Sequence, residues 1–577
     1  MENLRKRGAS AATSGYSGDG KHEFASGEKK HQQSTLEERE DDESRRAEDE
    51  RWVWRMCLAF RLLNALLVRT YFNPDEHWQA LEVAHRMVFG YGHLTWEWKR
   101  GIRSYVHPLI FAALFKLLAL MGLDTPWIMA RAPRLFQALV AAVGDLYLFK
   151  LSFRLFGRKT AYCTLFCQIV NWFTFFCMVR TLSNSLETVL TIVALYYWPK
   201  DTEPKVQRNS CWMSSRQLAL TVAAFSCVIR PTNGIVWIYM GVLHLLQTRD
   251  KLWFLMGEVF PIGIGCIGLA SLLDRWMYGD WTIVPLNFLK FNFLSPGGDF
   301  YGTHPWHWYF SQGFPAMVFT FLPLSLLGMR WAKNQLFDGL IFSVLIIYSL
   351  LGHKEFRFVL PILPLSMMFA GYAINIFEQS QHRSTRDAVD QIKESPHLPE
   401  TKASKKRGRN TSPNATNWFW WIIVGLLATN VPTALYTSLI HQRGGERVME
   451  YLAEEAYQSR VDSVLFLMPC HSTPFYSSLH KDVPMRFLDC SPSDEPGYVD
   501  EADRFKANPK DFLHIMFTHG ESGSAAELPS HIVIYDSLEP QIRLFLKEHH
   551  YKLEQKFFHA HFPVDRELQG HVLVFTL

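Results

Sequence analysis

Thr160-Ala-Tyr-Cys-Thr-Leu-Phe-Cys-Gln-Ile-Val-Asn-Trp-Phe-Thr-Phe-Phe-Cys-Met-Val179 contains no charged residue, and neither does the stretch from Asn417 to Ile440. Each matches the roughly 20 apolar residues that a helix needs to cross a bilayer. Outward from these, further apolar runs lie near 52–72, 106–123, 133–150, 182–198, 217–248, 252–273, 314–329, 336–352 and 357–377. The mean hydropathy sits near zero only because polar ends dilute this middle. The pattern predicts an α-helical polytopic membrane protein with ten to twelve spans. Strict alternation of the spans leaves one conflict between 106 and 198, so one run there is expected to be re-entrant, split or misread.

Basic loop residues orient the spans. Residues 379–416 carry eight Lys and Arg side chains and read as cytosolic; the tail after Ile440 then falls on the lumenal side. Residues 1–50 are polar, with few aliphatic side chains, and read as a disordered cytosolic tail. Residues 51–440 form the transmembrane part. After 440 the composition changes: 444–458 has helical character, and Val464–Met468, Met485–Leu488, His531–Tyr535 and His571–Phe575 have strand character. This predicts a small α/β domain over 441–577, where Cys470 and Cys490 could pair in an oxidising lumen. The other cysteines sit mostly inside apolar runs as small core residues. The net charge of +4 over 577 residues gives no sign of nucleic-acid binding.

Chemistry concentrates at two polar stretches. The first, Tyr71-Phe-Asn-Pro-Asp-Glu-His-Trp-Gln79, opens the loop 73–105. Asn73 suits a helix N-cap, Pro74 the first helical position, and Glu76 the capping-box partner three residues on. The helix would carry Trp78, Leu81, Ala84 and Val88 on one face. Both acids could simply favour the positive end of the helix dipole. Yet His77, Trp78 and Gln79 in the same turn suit a polar, ring-shaped ligand beside a lipid surface. Glu76 has a capping duty available and Asp75 has none, which makes Asp75 the freer candidate for chemistry. The loop's other aromatics, Trp96 and Trp98 among them, read as an interfacial belt.

The second stretch is Gly352-His-Lys-Glu-Phe-Arg-Phe358. His353, Lys354, Glu355 and Arg357 fall on the same membrane face as Asp75. They could form a self-neutralised turn, or a clamp for the phosphate of a lipid-linked substrate. Arg180 and Arg230 end apolar runs and could assist that clamp or anchor the interface. Arg61, inside the first span, is a functional suspect by position. No phosphate-binding loop, dinucleotide fingerprint, His-Glu-x-x-His or Asp-x-Asp occurs. Neither a cofactor nor a metal is expected, and a nucleotide-sugar donor is disfavoured.

Pro74-Asp-Glu-His-Trp-Gln79, Arg180-Thr-Leu-Ser-Asn-Ser-Leu-Glu187, Arg230-Pro-Thr-Asn233 and His353-Lys-Glu-Phe-Arg-Phe358 resemble the endoplasmic-reticulum mannosyltransferases that use dolichyl-phosphate mannose. The resemblance covers roughly 52–440 and implies the glycosyltransferase C fold. Met468-Pro-Cys-His-Ser-Thr-Pro-Phe-Tyr476 is similar to members that add the third, α1,2-linked mannose of the glycosylphosphatidylinositol (GPI) anchor. The resemblance implies transfer from dolichyl-phosphate mannose to a GPI precursor glycolipid, with inversion, on the lumenal face of the endoplasmic-reticulum membrane. Asp75, with Glu76 beside it, would be the catalytic group, and His77, Trp78, Gln79, Arg180, Arg230, His353, Lys354, Glu355 and Arg357 would bind substrate. The alternatives are a sister enzyme of N-glycan assembly or of the fourth GPI mannose and, in another class, a lipid transporter or scramblase. A transporter would more often show repeated halves and midplane charges, and no repeat is evident.

Overall fold

The computed structural model describes residues 20–199, 213–294, 302–393, 418–493, 497–518, 527–563 and 568–577. Much of the basic loop 379–416, with residues 1–19, therefore lies outside the described residues. The chain divides into Met1–Met56 and Cys57–Leu577. A helix of 48 residues, Gly20–Leu67, begins in the first unit. Residues 20–50 are thus helical, against the expectation of disorder. Glu, Lys, Arg and Gln are good helix formers, and Arg46 pairs with Glu50 four positions on at 3.2 Å.

Within the second unit, five described helices are long and apolar enough to cross a bilayer: Pro126–Phe156, Lys251–Tyr278, Tyr309–Ala332, Phe356–His382 and Phe419–Tyr457. Val106–Leu120, Ser215–Ile229 and Gln335–Leu350 are shorter apolar helices. Among the described residues, fewer long apolar helices are found than the ten to twelve spans expected, partly because apolar runs are broken. The run 160–179 shows how. Helix Arg158–Val170 stops at Asn171, whose side chain accepts from Thr174 N at 3.0 Å to start Trp172–Cys177 and donates to Met317 O at 2.9 Å. A side chain that serves as both cap and tertiary tie splits one apolar run into two helices.

Arg61 is settled by its partner. Fully buried, it donates to Asp145 through Nε at 2.6 Å and Nη2 at 3.0 Å, and through Nη1 to Asn64 Oδ1 and Thr174 O, both at 3.2 Å. The bidentate geometry compensates two charges inside an apolar bundle, so this arginine is structural. Elsewhere the bundle relies on close backbone approach. Gly328 against Phe369 and Gly371 against Thr164 leave no room for a Cβ.

The helix expected over 444–458 forms as Gly444–Tyr457. Beyond it lies one five-stranded sheet, β1 (Val464–Leu467), β2 (Met485–Phe487), β3 (His531–Tyr535), β4 (Lys552–Phe558) and β5 (His571–Thr576), in the order β2-β1-β3-β5-β4. β1 runs parallel to β2 and β3, with Val464 opposite Met485 and His531; β5 is antiparallel to β3 and β4. The sequence reading finds four of these strands. It misses β4, whose Lys-Leu-Glu-Gln-Lys-Phe-Phe is a mostly exposed edge strand with too few buried side chains to signal itself. The domain boundary at 440 marks a change of composition but not of packing. Trp78, from the first loop, sits in the sheet domain's core with Val448, Leu452, Phe466, Phe475 and Val574.

Candidate active site

Asn73 caps the helix as expected, its Oδ1 accepting from Asp75 N at 3.0 Å. Glu76 takes no part in a capping box. Its carboxylate is fully buried and accepts from Arg134 at 2.7 and 3.0 Å and from Arg180 at 2.8 Å. Burial opposes its charge, but these two guanidiniums hold its pKa below the usual carboxylate range. The helix then opens into a π turn over His77–Leu81. Five residues in that wider turn shift the register, so Trp78 does not share a face with Leu81 and Ala84. Trp78 points to the sheet domain, its Nε1 donating to Thr473 O at 2.9 Å. Leu81 and Ala84 pack against Phe111, Phe115 and Met129, with Val88 beside them.

Glu82 completes the joint between loop and sheet domain. Its buried carboxylate accepts from Phe475 N at 2.9 Å, Ser477 N at 3.1 Å and Ser477 Oγ at 2.6 Å. Burial pushes its pKa up, and the three donors only moderate that. Thus the segment Thr473–Ser477 is locked onto the first loop.

Between these elements lies a cavity of about 720 Å³. Asp75, Trp78 and Gln79 line it from the first loop, with Trp96, Glu97 and Arg103. Residues between Tyr348 and Phe358 line it too, with Arg230, and Cys470, His471 and Cys490 contribute from the sheet domain. The two polar stretches of the sequence meet here. Arg357 Nη1 donates to Asp75 Oδ2, while its Nε and Nη2 donate to Glu355 at 2.5 and 2.7 Å. Glu355 also accepts from Asn73 Nδ2 at 3.1 Å and contacts His353 Nε2 at 2.9 Å. Arg103 stands 4.0 Å from Asp75 and 3.7 Å from Glu97, which in turn accepts from Gln79 at 2.8 Å.

The electrostatics follow from those contacts. Burial alone would raise the Asp75 pKa, but Arg357 and then Arg103 outweigh it and keep the carboxyl ionised below its usual range. Asp75 is therefore not without partners, as the sequence suggested: Arg357 binds it and Arg103 stands nearby. Glu355 is likewise pulled well down, by Arg357 and His353 against its burial. Lys354 is turned inward: its Nζ donates to His304 O at 2.9 Å and to Leu351 O. Arg230 donates to Ser183 Oγ at 3.0 Å and lies 3.3 Å from Glu187.

Eight of the eleven residues singled out in the sequence line the cavity: Asp75, Trp78, Gln79, Arg230, His353, Lys354, Glu355 and Arg357. Glu76, His77 and Arg180 are not among its lining. Arg180 is fully buried and bound to Thr70 O at 2.6 Å, Thr70 Oγ1 at 2.9 Å and Phe176 O at 2.8 Å besides Glu76. His77 stacks on Tyr71 with ring centroids 5.5 Å apart and lies 3.4 Å from Glu446. Glu446 binds Arg134, so these residues tie the first loop to Pro126–Phe156 and Gly444–Tyr457. Sequence reasoning missed Arg103, Arg134, Glu446, Glu82 and His471 as parts of this neighbourhood. Arg134, an arginine inside an apolar run, carries a signal of its own, and His471 lies within the motif Met468–Tyr476. Cys470 and Cys490 are bonded, with Cα atoms 6.1 Å apart.

A bundle of apolar helices with a cavity lined also by a small α/β domain is the architecture of glycosyltransferase C enzymes. The structure superposes with a TM-score of 0.51 on ArnT from Cupriavidus metallidurans bound to undecaprenyl phosphate, at 14% identity over 91% of this chain and 97% of that one. Residues 52–480 match the Alg9-like mannosyltransferase family, and the chain belongs to it. It is 54% identical to mannosyltransferase APTG1 of Arabidopsis thaliana over 91% of this chain and 92% of that protein. Identity is 40% to human GPI alpha-1,2-mannosyltransferase 3, covering 90% and 85% of the two chains, and 38% to GPI mannosyltransferase 3 of Yarrowia lipolytica, covering 90% and 96%.

Proposed function

We propose that the protein transfers mannose in α1,2 linkage from dolichyl-phosphate mannose to the two-mannose GPI precursor, adding its third mannose on the lumenal face of the endoplasmic-reticulum membrane. The observation that carries this reading is the Asp75 carboxylate, held ionised by Arg357 in the wall of a cavity large enough for sugars. The names of the relatives at 38–40% identity support the acceptor and the linkage.

Asp75 is the general base. It accepts the proton of an acceptor mannose hydroxyl as that oxygen attacks the anomeric carbon of the donor. The bond from that carbon to the phosphate oxygen breaks, and dolichyl phosphate leaves as an anion that needs no proton. One carboxylate therefore suffices, and a single displacement inverts the anomeric centre. Arg357 serves as the orienting partner of Asp75, since its three contacts are taken by Asp75 and Glu355. Lys354 is engaged with carbonyls, so the donor phosphate falls chiefly to Arg230, with His353 on the same wall.

The test is a transfer assay with purified full-length protein, dolichyl-phosphate mannose and the two-mannose acceptor. Asp75→Asn lowers the rate by about 10²–10⁴-fold, the usual worth of a general base. Turnover at the wild-type rate in this variant removes Asp75 from the role.

A further inference from the structure

The motif Met468–Tyr476 does more than mark a branch of the family, because it delivers one side chain into the cavity. His471 lines the cavity together with Asp75, yet it belongs to the sheet domain. Its backbone stands at φ 60°, a left-handed conformation uncommon for a residue with a side chain. Three features hold it there. The Tyr71 hydroxyl donates to the His471 carbonyl oxygen, the disulfide Cys470–Cys490 fixes the preceding residue, and the imidazole packs on Trp78 with ring centroids 4.5 Å apart. Phe487 packs beside both rings, 5.1 Å from His471 and 5.2 Å from Trp78. The Nδ1 atom faces Cys490 Sγ at 4.0 Å, and among the described residues Nε2 has no hydrogen-bond partner.

Strained backbone persists where the surroundings over-determine it, and it clusters at ligand sites. Here a disulfide, a tyrosine and a tryptophan converge to present one imidazole edge to the cavity. Burial lowers the pKa of His471 to about 4, so the ring is neutral near pH 7 and can both donate and accept. A neutral ring beside an indole suits a sugar hydroxyl, whereas it offers no charge to a phosphate.

We propose that His471 is a specificity-determining residue that hydrogen-bonds the acceptor sugar beside the hydroxyl deprotonated by Asp75. This rests on the function proposed above and assigns the acceptor end of the cavity to the sheet domain. The donor end then falls to Arg230 and the turn at 353–357.

The experiment titrates both substrates against the purified full-length enzyme and two variants. His471→Ala raises the acceptor KM about tenfold or more and leaves the donor KM within about twofold, as one lost hydrogen bond to a bound sugar implies. His471→Asn, which tolerates the left-handed backbone and keeps a donor and an acceptor, recovers part of that loss. Melting temperature and the intact disulfide report folding, and if His471→Ala fails to fold, His471→Gly, at ease at positive φ, is read instead. An unchanged acceptor KM overturns the inference, as does a donor KM that rises as far as the acceptor's. Wild-type enzyme that transfers no mannose to this acceptor overturns the proposed function, and this inference with it.

Discussion

Arg357 and Asp75 are joined side chain to side chain across 282 positions of the chain, and the other edge of the same guanidinium holds Glu355. The contact brings the helix start of the first loop to the entrance of helix Leu363–Lys393 and sets the charge of the acid at the cavity. It also makes the acid limb of the pH profile a readout of Arg357. Asp75 acts as a base only when ionised, so activity falls as pH drops through its pKa. Arg357 keeps that pKa low. In Arg357→Gln the pKa rises, and the acid limb of kcat/KM moves toward higher pH; Arg357→Lys, which keeps the charge, moves it less. Profiles that superpose with wild type would show that Arg357 does not tune Asp75.

Glu76→Gln and Asp75→Asn should fail in different ways. Glu76 neutralises two buried arginines, Arg134 and Arg180. Removing one member of such a buried group typically costs about 3–5 kcal/mol; here Arg180 would stay buried without a counter-charge, while Arg134 keeps Glu446. Glu76→Gln is therefore expected to lower the melting temperature and yield of the protein, while Asp75→Asn loses activity with the smaller structural loss. Thermal unfolding of the two purified variants decides it. A stable but inactive Glu76→Gln would return Glu76 to the catalytic candidates.

What the sequence disclosed and what it hid divide along a physical line. Motifs announced themselves where polar residues interrupt apolar runs. Pro74–Gln79 and His353–Arg357 both reach the cavity, and Asp75 was singled out ahead of Glu76. Glu76 is occupied, however, by Arg134 and Arg180 and not by Asn73. Local spacing predicts caps, but a buried carboxylate follows the cations that tertiary packing brings to it. Those cations sit 58 and 104 residues away. The π turn was hidden for the same reason: a 3.6-residue period assumes regular winding, and His77–Leu81 departs from it to send Trp78 to the sheet domain. His471 could be quoted as part of a motif but not placed, since its neighbours Tyr71 and Trp78 are close to 400 residues distant.

The Arg61–Asp145 pair supplies a test of the bundle that is independent of catalysis. Both side chains are fully buried and mutually bidentate. Asp145→Asn or Arg61→Met alone is expected to cost about 3–5 kcal/mol, whereas replacing both by apolar side chains of similar volume is often neutral or stabilising. Arg61→Met combined with Asp145→Leu should therefore recover much of the stability that either change removes, read as melting temperature in the same detergent. A double variant no better than the worse single one would mean that the bonds from Arg61 to Asn64 and Thr174 matter more than the charge balance.

Lys354 and Arg230 separate fold from donor binding on one wall of the cavity. Both line it, but the Lys354 ammonium is spent on the carbonyls of His304 and Leu351, which pins the segment before Trp308 to the turn before Arg357. Arg230 is anchored by Ser183 and Glu187 without being saturated by backbone. Lys354→Met should lose the charge-assisted bonds, about 1.5–3 kcal/mol of stability, with the donor KM little changed. Arg230→Ala should raise the donor KM about ten- to a hundredfold, the kinetic counterpart of losing one charge-assisted phosphate contact, while the acceptor KM stays within a few-fold. Arg230→Lys keeps a point charge without the planar fork and should fall between the two. Titrating dolichyl-phosphate mannose against each variant at saturating acceptor is the measurement. A donor KM raised equally by Lys354→Met and Arg230→Ala would place the ammonium on the phosphate. An unaltered donor KM in Arg230→Ala would shift that role to Arg103 and His353.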